Sequence, residues 1–177
     1  FSLQEIKRYA EQYSYEYDSD DAAIQMGNGS ISNFINIAND ETVENMKSLI
    51  EIFYNKNINR FEDTLSFFTD IKSQNKDQVY SYLGYLLIST KDIYLLSLNQ
   101  ASKKIHYSFL YNAYKEILSN HPSGDWMRII GTINECIQDI QKNVNLSISI
   151  YNMLINVRYC LEGQSIDRFK SNLIEEL

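Results

Sequence analysis

The sequence predicts an all-α protein, with a small three-helix unit followed by a larger helical bundle. Three observations predict it. The 177 residues include one Pro and six Gly, so few positions interrupt a helix. Apolar residues recur at three- and four-residue spacing nearly throughout, while strand-like alternation is scarce. A 44% hydrophobic content is enough to bury a substantial core and argues against global disorder.

Leu3, Ile6 and Ala10 mark the first helix, with Tyr9 and Tyr13 beside the same stripe. Asp18-Ser19-Asp20-Asp21 reads as a turn and cap for a short helix from Ala22 to Met26. Gly27-Asn28-Gly29 breaks the chain, and Ser30 can cap a third helix running to about Ala38. Asn39-Asp40-Glu41-Thr42 is the candidate boundary, after which the helices lengthen.

Val43, Met46, Ile50 and Phe53 repeat at helical spacing, as do Phe61, Leu65, Phe68 and Ile71. A long helix is expected from about Lys76 to Gln100, and another from about Ser102 to Ser119. Tyr80, Tyr82 and Tyr85 cannot all share one face of the long helix, so core and surface roles are both open to them. Asn120-His121-Pro122-Ser123-Gly124 is the clearest loop. Trp126 to Lys142 follows with the stripe Ile129, Ile133, Cys136, Ile137 and Ile140. Leu146 to Val157 is apolar on nearly every side, the pattern of a central helix, with Arg158 at its end where the helix dipole favours a cation. Ile166, Phe169 and Leu173 continue the period. No fixed repeat length emerges, so a solenoid is not expected.

Charge and cysteine usage narrow the function. A net charge of −7 argues against this chain as the main binder of a phosphate backbone. Lys7-Arg8, Lys103-Lys104 and Arg158 are modest basic spots without the interleaved aromatics of a single-strand platform. Cys136 and Cys160 sit on apolar faces and far from each other, which suits a reducing, cytoplasmic setting. No stretch approaches the roughly 18 apolar residues of a membrane span. The chain starts inside an amphipathic segment at Phe1-Ser2-Leu3, without an initiator Met, as expected of a piece of something longer.

No catalytic chemistry is legible. Gly27-Asn28-Gly29-Ser30 has glycines but neither a following Lys nor a preceding strand, so it is not a phosphate-binding loop. His106 and His121 lack ligand spacing to each other or to a cysteine. Asp18, Asp20 and Asp21 lack the Gly and bidentate Glu of a calcium loop, and a solvated helix cap explains them. Glu62-Asp63 and Glu175-Glu176 read as exposed helix faces. No catalytic residue, cofactor or metal is therefore expected.

Two segments carry a family resemblance. Leu3-Gln4-Glu5-Ile6, Asp20-Asp21-Ala22-Ala23 and Gly29-Ser30-Ile31-Ser32-Asn33-Phe34 resemble the three-helix lid of clamp-loader ATPase modules. ATP-hydrolysing members of that family carry an Arg two residues after the Gly-Ser; this chain has Ser32 there, which implies a lid kept for architecture. Ile133-Asn134-Glu135-Cys136-Ile137, Asn143-Val144-Asn145 and Ile150-Tyr151-Asn152-Met153-Leu154-Ile155 are similar to the penultimate collar helices of bacterial DNA polymerase III delta-prime subunits. Asn143 can end one helix in the left-handed conformation, and Asn145 can cap the next.

The resemblance implies a three-helix lid over residues 1–39 and a helical collar over 40–177. It implies a non-catalytic subunit assembled with gamma/tau and delta subunits into a ring that loads the sliding clamp, touching DNA only indirectly and no membrane. Gly29, Ser30, Asn143, Asn145 and Arg158 are the structural or interface candidates. Two other functions stay open: a free-standing helical adaptor that binds a peptide or helix in a groove, and an all-helical enzyme with an acidic metal site at Asp18, Asp20 and Asp21.

Overall fold

A Ser at position 2 followed by Glu at position 5 opens the first helix with reciprocal caps, and helices follow one another from there. The computed structural model of the chain describes residues 1–13, 22–38, 41–55, 60–74, 76–99 and 105–163. Among them run nine α-helices and no strand: α1 Leu3–Gln12, α2 Ala22–Met26, α3 Ile31–Ala38, α4 Thr42–Phe53, α5 Arg60–Gln74, α6 Lys76–Ser97, α7 Tyr111–Asn120, α8 Trp126–Gln141 and α9 Leu146–Leu161. The expected cap and metal reading at Asp18, Asp20 and Asp21, the boundary residues Asn39 and Asp40, Lys103-Lys104 and the Ile166, Phe169, Leu173 stripe lie outside the described residues.

In α1 the Ser2 N–H donates to Glu5 Oε2 at 2.7 Å, and the Glu5 N–H returns a bond to Ser2 Oγ at 3.3 Å. The Ser2 N–H, and after it the Ser2 hydroxyl donating to the same Oε2 at 2.9 Å, favour the charged carboxylate and hold the Glu5 carboxyl below its ordinary value. Ile6 and Ala10 are buried, as their spacing predicts. Between α2 and α3 the chain turns through two left-handed residues, Asn28 at φ 46° and Gly29 at φ 80°. A Cβ on Gly29 would also lie 3.0 Å from the Phe1 carbonyl oxygen, so the left-handed backbone and the close approach both favour glycine there.

The wrapped helix is α6. It packs against α4, α5, α7 and α8, and it buries Val79, Tyr82, Leu83, Leu86 and Ile93. Tyr80 and Tyr85, which the sequence leaves between core and surface, are half-buried against that core. The apolar run Leu146–Val157 had the pattern of a central helix, yet α9 packs on α8 and α5 and leaves its remaining flank open. Ile148 is 56% exposed and Tyr151 47% exposed on that flank. The reason is geometric: periodicity reports which residues are apolar, and only the neighbours decide which of those are covered. α9 also continues past Val157 to Leu161, so Arg158 lies within its last turn.

Another departure concerns the segment before α7. A helix from about Ser102 was expected, but the described chain reaches α7 through an extended Tyr107, at φ −106° and ψ 75°, and a 3₁₀ turn at Ser108–Leu110. Backbone N–H groups that helical neighbours would have satisfied go to the Asp92 carboxylate on α6, from His106 at 3.0 Å and Tyr107 at 2.9 Å. A charged acceptor buried in the core outcompetes one helical turn. At its other end α6 stops at Ser97, short of Gln100, with Asn99 left-handed at φ 54°. One apolar core nevertheless runs through every region, from Ile6 on α1 to Leu161 on α9.

Candidate interaction surface at the α8–α9 corner

The corner between α8 and α9 is built by three residues. Asn143 adopts φ 63° and donates its N–H to the Ile140 carbonyl at 3.1 Å. Val144 donates to the Asp139 carbonyl at 2.9 Å, so the pair closes α8 in a Schellman arrangement with Asn in the left-handed position. Asn145 then opens α9, its Oδ1 accepting from the Ser147 N–H at 3.0 Å and the Ile148 N–H at 3.4 Å. So short a reversal lays α8 and α9 side by side as antiparallel neighbours.

The corner presents apolar surface to solvent. Val144, in the turn before α9, is 42% exposed, and Ile148 and Tyr151, three residues apart on one face of α9, are exposed as well. Phe61 of α5 packs edge-on to the Tyr151 ring, with centroids 5.3 Å apart, and extends the patch across the α5–α9 seam. Single exposed apolar residues are ordinary; here three lie within eight residues of one another at the same corner.

Arg158 belongs elsewhere. It lies about 20 Å from Asn145 along α9, at 1.5 Å per residue. Its Nη1 donates to the Asn55 carbonyl at 3.2 Å, where the sequence alone offered only the helix dipole. That contact is one of several that join the ends of α4, α7 and α9. His121 is buried and its Nε2 donates to the Tyr54 carbonyl at 2.8 Å; the Asp125 N–H donates to the Cys160 carbonyl at 2.9 Å. Asn120, His121, Ser123, Arg158 and Leu161 line a cavity of about 360 Å³ at this junction. Asn143 and Asn145 thus act together, and Arg158 serves a separate tie.

Gly29 and Ser30 form the α2–α3 turn, with Ser30 Oγ accepting from the Asn33 N–H at 3.3 Å. Ser32, in the first turn of α3, is exposed. Their geometry is that of a helix cap.

Asp92 escaped the sequence reading. It is fully buried, and besides the two N–H groups it contacts His106 Nδ1 at 3.1 Å. The signal was the polar run Ser89-Thr90-Lys91-Asp92 inside an otherwise apolar helix. Ser89 and Thr90 are buried too, and each receives a tyrosine: Tyr114 donates its phenol to Ser89 Oγ at 2.9 Å, and Tyr54 bonds Thr90 Oγ1. Thr90 donates its own proton to the Leu86 carbonyl, at 2.7 Å, so Tyr54 is the donor in the second pair.

Among the described residues no group of three or more His, Cys, Asp or Glu side chains is placed to hold a metal ion, and no helix is long and apolar enough to cross a membrane. Burial, with the Asp139 carboxylate adding to it, pushes the Cys136 thiol up to about 12, and burial raises Cys160 to about 11. Neither thiol is an activated nucleophile. Comparisons of the chain with protein-family models, with curated proteins and with solved structures found no match.

Proposed function

We propose that this chain is the lid-and-collar part of a clamp-loader subunit of the delta-prime type, a non-catalytic piece that joins gamma/tau and delta subunits through its helices. The observation that carries the reading is the α8–α9 corner. Asn143 ends one helix in the left-handed conformation and Asn145 caps the next, as the resemblance requires of an Asn-x-Asn junction. Beside it the Val144, Ile148 and Tyr151 face stands open, the kind of surface that a ring of collars covers. The lid part is supported by the Gly29-Ser30 turn that opens α3, with Ser32 where ATP-hydrolysing relatives place an Arg.

In this reading the activity is assembly, and the partners are proteins. A charged residue on the open face removes the apolar contact, at the cost of the one ring contact that Tyr151 makes with Phe61. Ile148→Asp with Tyr151→Asp is expected to keep the helical circular dichroism signal and to lose co-elution with the cognate gamma/tau and delta subunits. Co-elution unchanged by the double variant would move the interface away from α9.

A further inference from the structure

A second surface, between α4 and α7, has the form of a docking groove. α4 and α7 both lean on α6 but do not pack closely on one another. A cavity of about 580 Å³ lies between them. Its floor includes Ile50, Tyr54, Leu110 and Ile117, and Ala113 keeps the α7 wall low.

Each wall of the groove is tied to α6 by a buried phenol. Tyr54, just after α4, and Tyr114, on α7, reach neighbouring hydroxyls of α6 at Thr90 and Ser89. Both phenols are buried, and each bond sets the distance of one wall from α6. At one end the His121 to Tyr54 carbonyl bond joins the two walls directly. A groove braced in this way exists before any partner arrives, so little ordering cost falls on this chain when one binds.

Its charge indicates the occupant. Lys47, on the α4 wall, is ion-paired with Glu44 at 2.9 Å. The other charged residues of the lining are Glu51 on α4 and Glu116 on α7, both exposed and one on each wall. Because Tyr54 meets His121, the carboxyl ends of α4 and α7 converge at the Asn55–Asn120 end of the groove. Helix carboxyl ends carry partial negative charge, which adds to that of the two glutamates. The molecule already places one guanidinium there, that of Arg158 on the Asn55 carbonyl.

We infer that the α4–α7 groove docks an amphipathic helix of a partner protein that presents apolar residues to the floor and Lys or Arg to Glu51 and Glu116. The walls from Lys47 to Tyr54 and from Leu110 to Asn120 are roughly 10–15 Å long, two to three helical turns. Helix-in-groove packing of this kind reads anchors at i, i+3, i+4 and i+7. The inference stands on a different face from the α8–α9 corner and holds whether or not the chain is a clamp-loader subunit.

The test uses two labelled peptides of about four helical turns, identical in their Leu anchors at that spacing, one flanked by Lys and Arg and the other by Glu. Fluorescence anisotropy is expected to give micromolar binding of the basic peptide, weakening as salt is raised, and at least tenfold weaker binding of the acidic one. Glu51→Lys with Glu116→Lys, both on exposed positions, is expected to leave the melting temperature unchanged and to cost the basic peptide at least tenfold in affinity. Ala113→Phe, which fills the groove without altering charge, is expected to weaken it as well. Equal binding of the two peptides, no binding of the basic one, or an affinity untouched by the charge reversal would overturn the inference.

Discussion

The carboxylate of Asp92, wholly buried on α6, accepts the backbone N–H of Tyr107 at 2.9 Å. The same carboxylate takes the His106 N–H at 3.0 Å, so one side chain fixes the route by which the chain enters α7. A charged group in the core is tolerated because it is bonded several times over, and removing it strands the donors.

Asp92→Ala is therefore expected to destabilise the protein by about 3 kcal/mol, the loss of charge-assisted bonds together with buried unsatisfied N–H groups. Urea unfolding followed by circular dichroism measures it. A loss within about 0.5 kcal/mol, typical of a surface change, would mean that the segment before α7 is held by something else.

The α8–α9 corner separates two roles by conformation. Asn143 at φ 63° carries a conformational penalty that glycine does not. Asn143→Gly is expected to be neutral or slightly stabilising, whereas Asn143→Ala should cost about 1 kcal/mol. Asn145→Ala should also cost about 1 kcal/mol through the lost cap. Chemical denaturation of the three variants tests the order, and an Asn143→Gly protein less stable than the Asn143→Ala one would contradict it.

Alkaline pH should weaken the fold. Burial raises the phenols of Tyr54, Tyr107 and Tyr114 well above their ordinary value, first through desolvation in every case. The native state then keeps those protons at pH values where the unfolded chain, titrating near pH ~10, gives them up. Their stabilising contribution is complete below that point and is lost as pH rises through it towards the native values. The urea midpoint is expected to fall steadily above pH ~10, and a midpoint constant from pH ~7 to ~11 would contradict the burial of these phenols.

Both thiols should be inert until the fold opens. With values pushed up to about 12 and about 11, Cys136 and Cys160 hold little thiolate near neutral pH, and both side chains are buried. Ellman's reagent at pH ~8 is expected to react slowly with the native protein and rapidly in urea. Prompt reaction of two thiols in the native state would contradict the packing of α8 and α9.

What could be read from the sequence was local, and what could not was tertiary. Asn143 and Asn145 announce a helix end and a helix start by their own chemistry, and Gly29-Ser30 does the same for α3. Ile129, Ile133, Cys136 and Ile140 are buried as their spacing predicts. The late start of α7 was hidden because its cause, Asp92, lies 14 residues upstream of His106 and acts through space. His121 sits in an evident loop, yet it is buried because a carbonyl from the end of α4, 67 residues away, comes to meet it. The exposure of Ile148 and Tyr151 was hidden for a related reason, since an apolar residue does not reveal whether a neighbour covers it.

Sedimentation velocity of this chain mixed with cognate gamma/tau and delta subunits tests the proposed assembly with clamp-loader subunits. A faster, stoichiometric boundary containing this chain is the expected result, and it should disappear with Ile148→Asp and Tyr151→Asp. Independent sedimentation of the components at micromolar concentrations would contradict the claim.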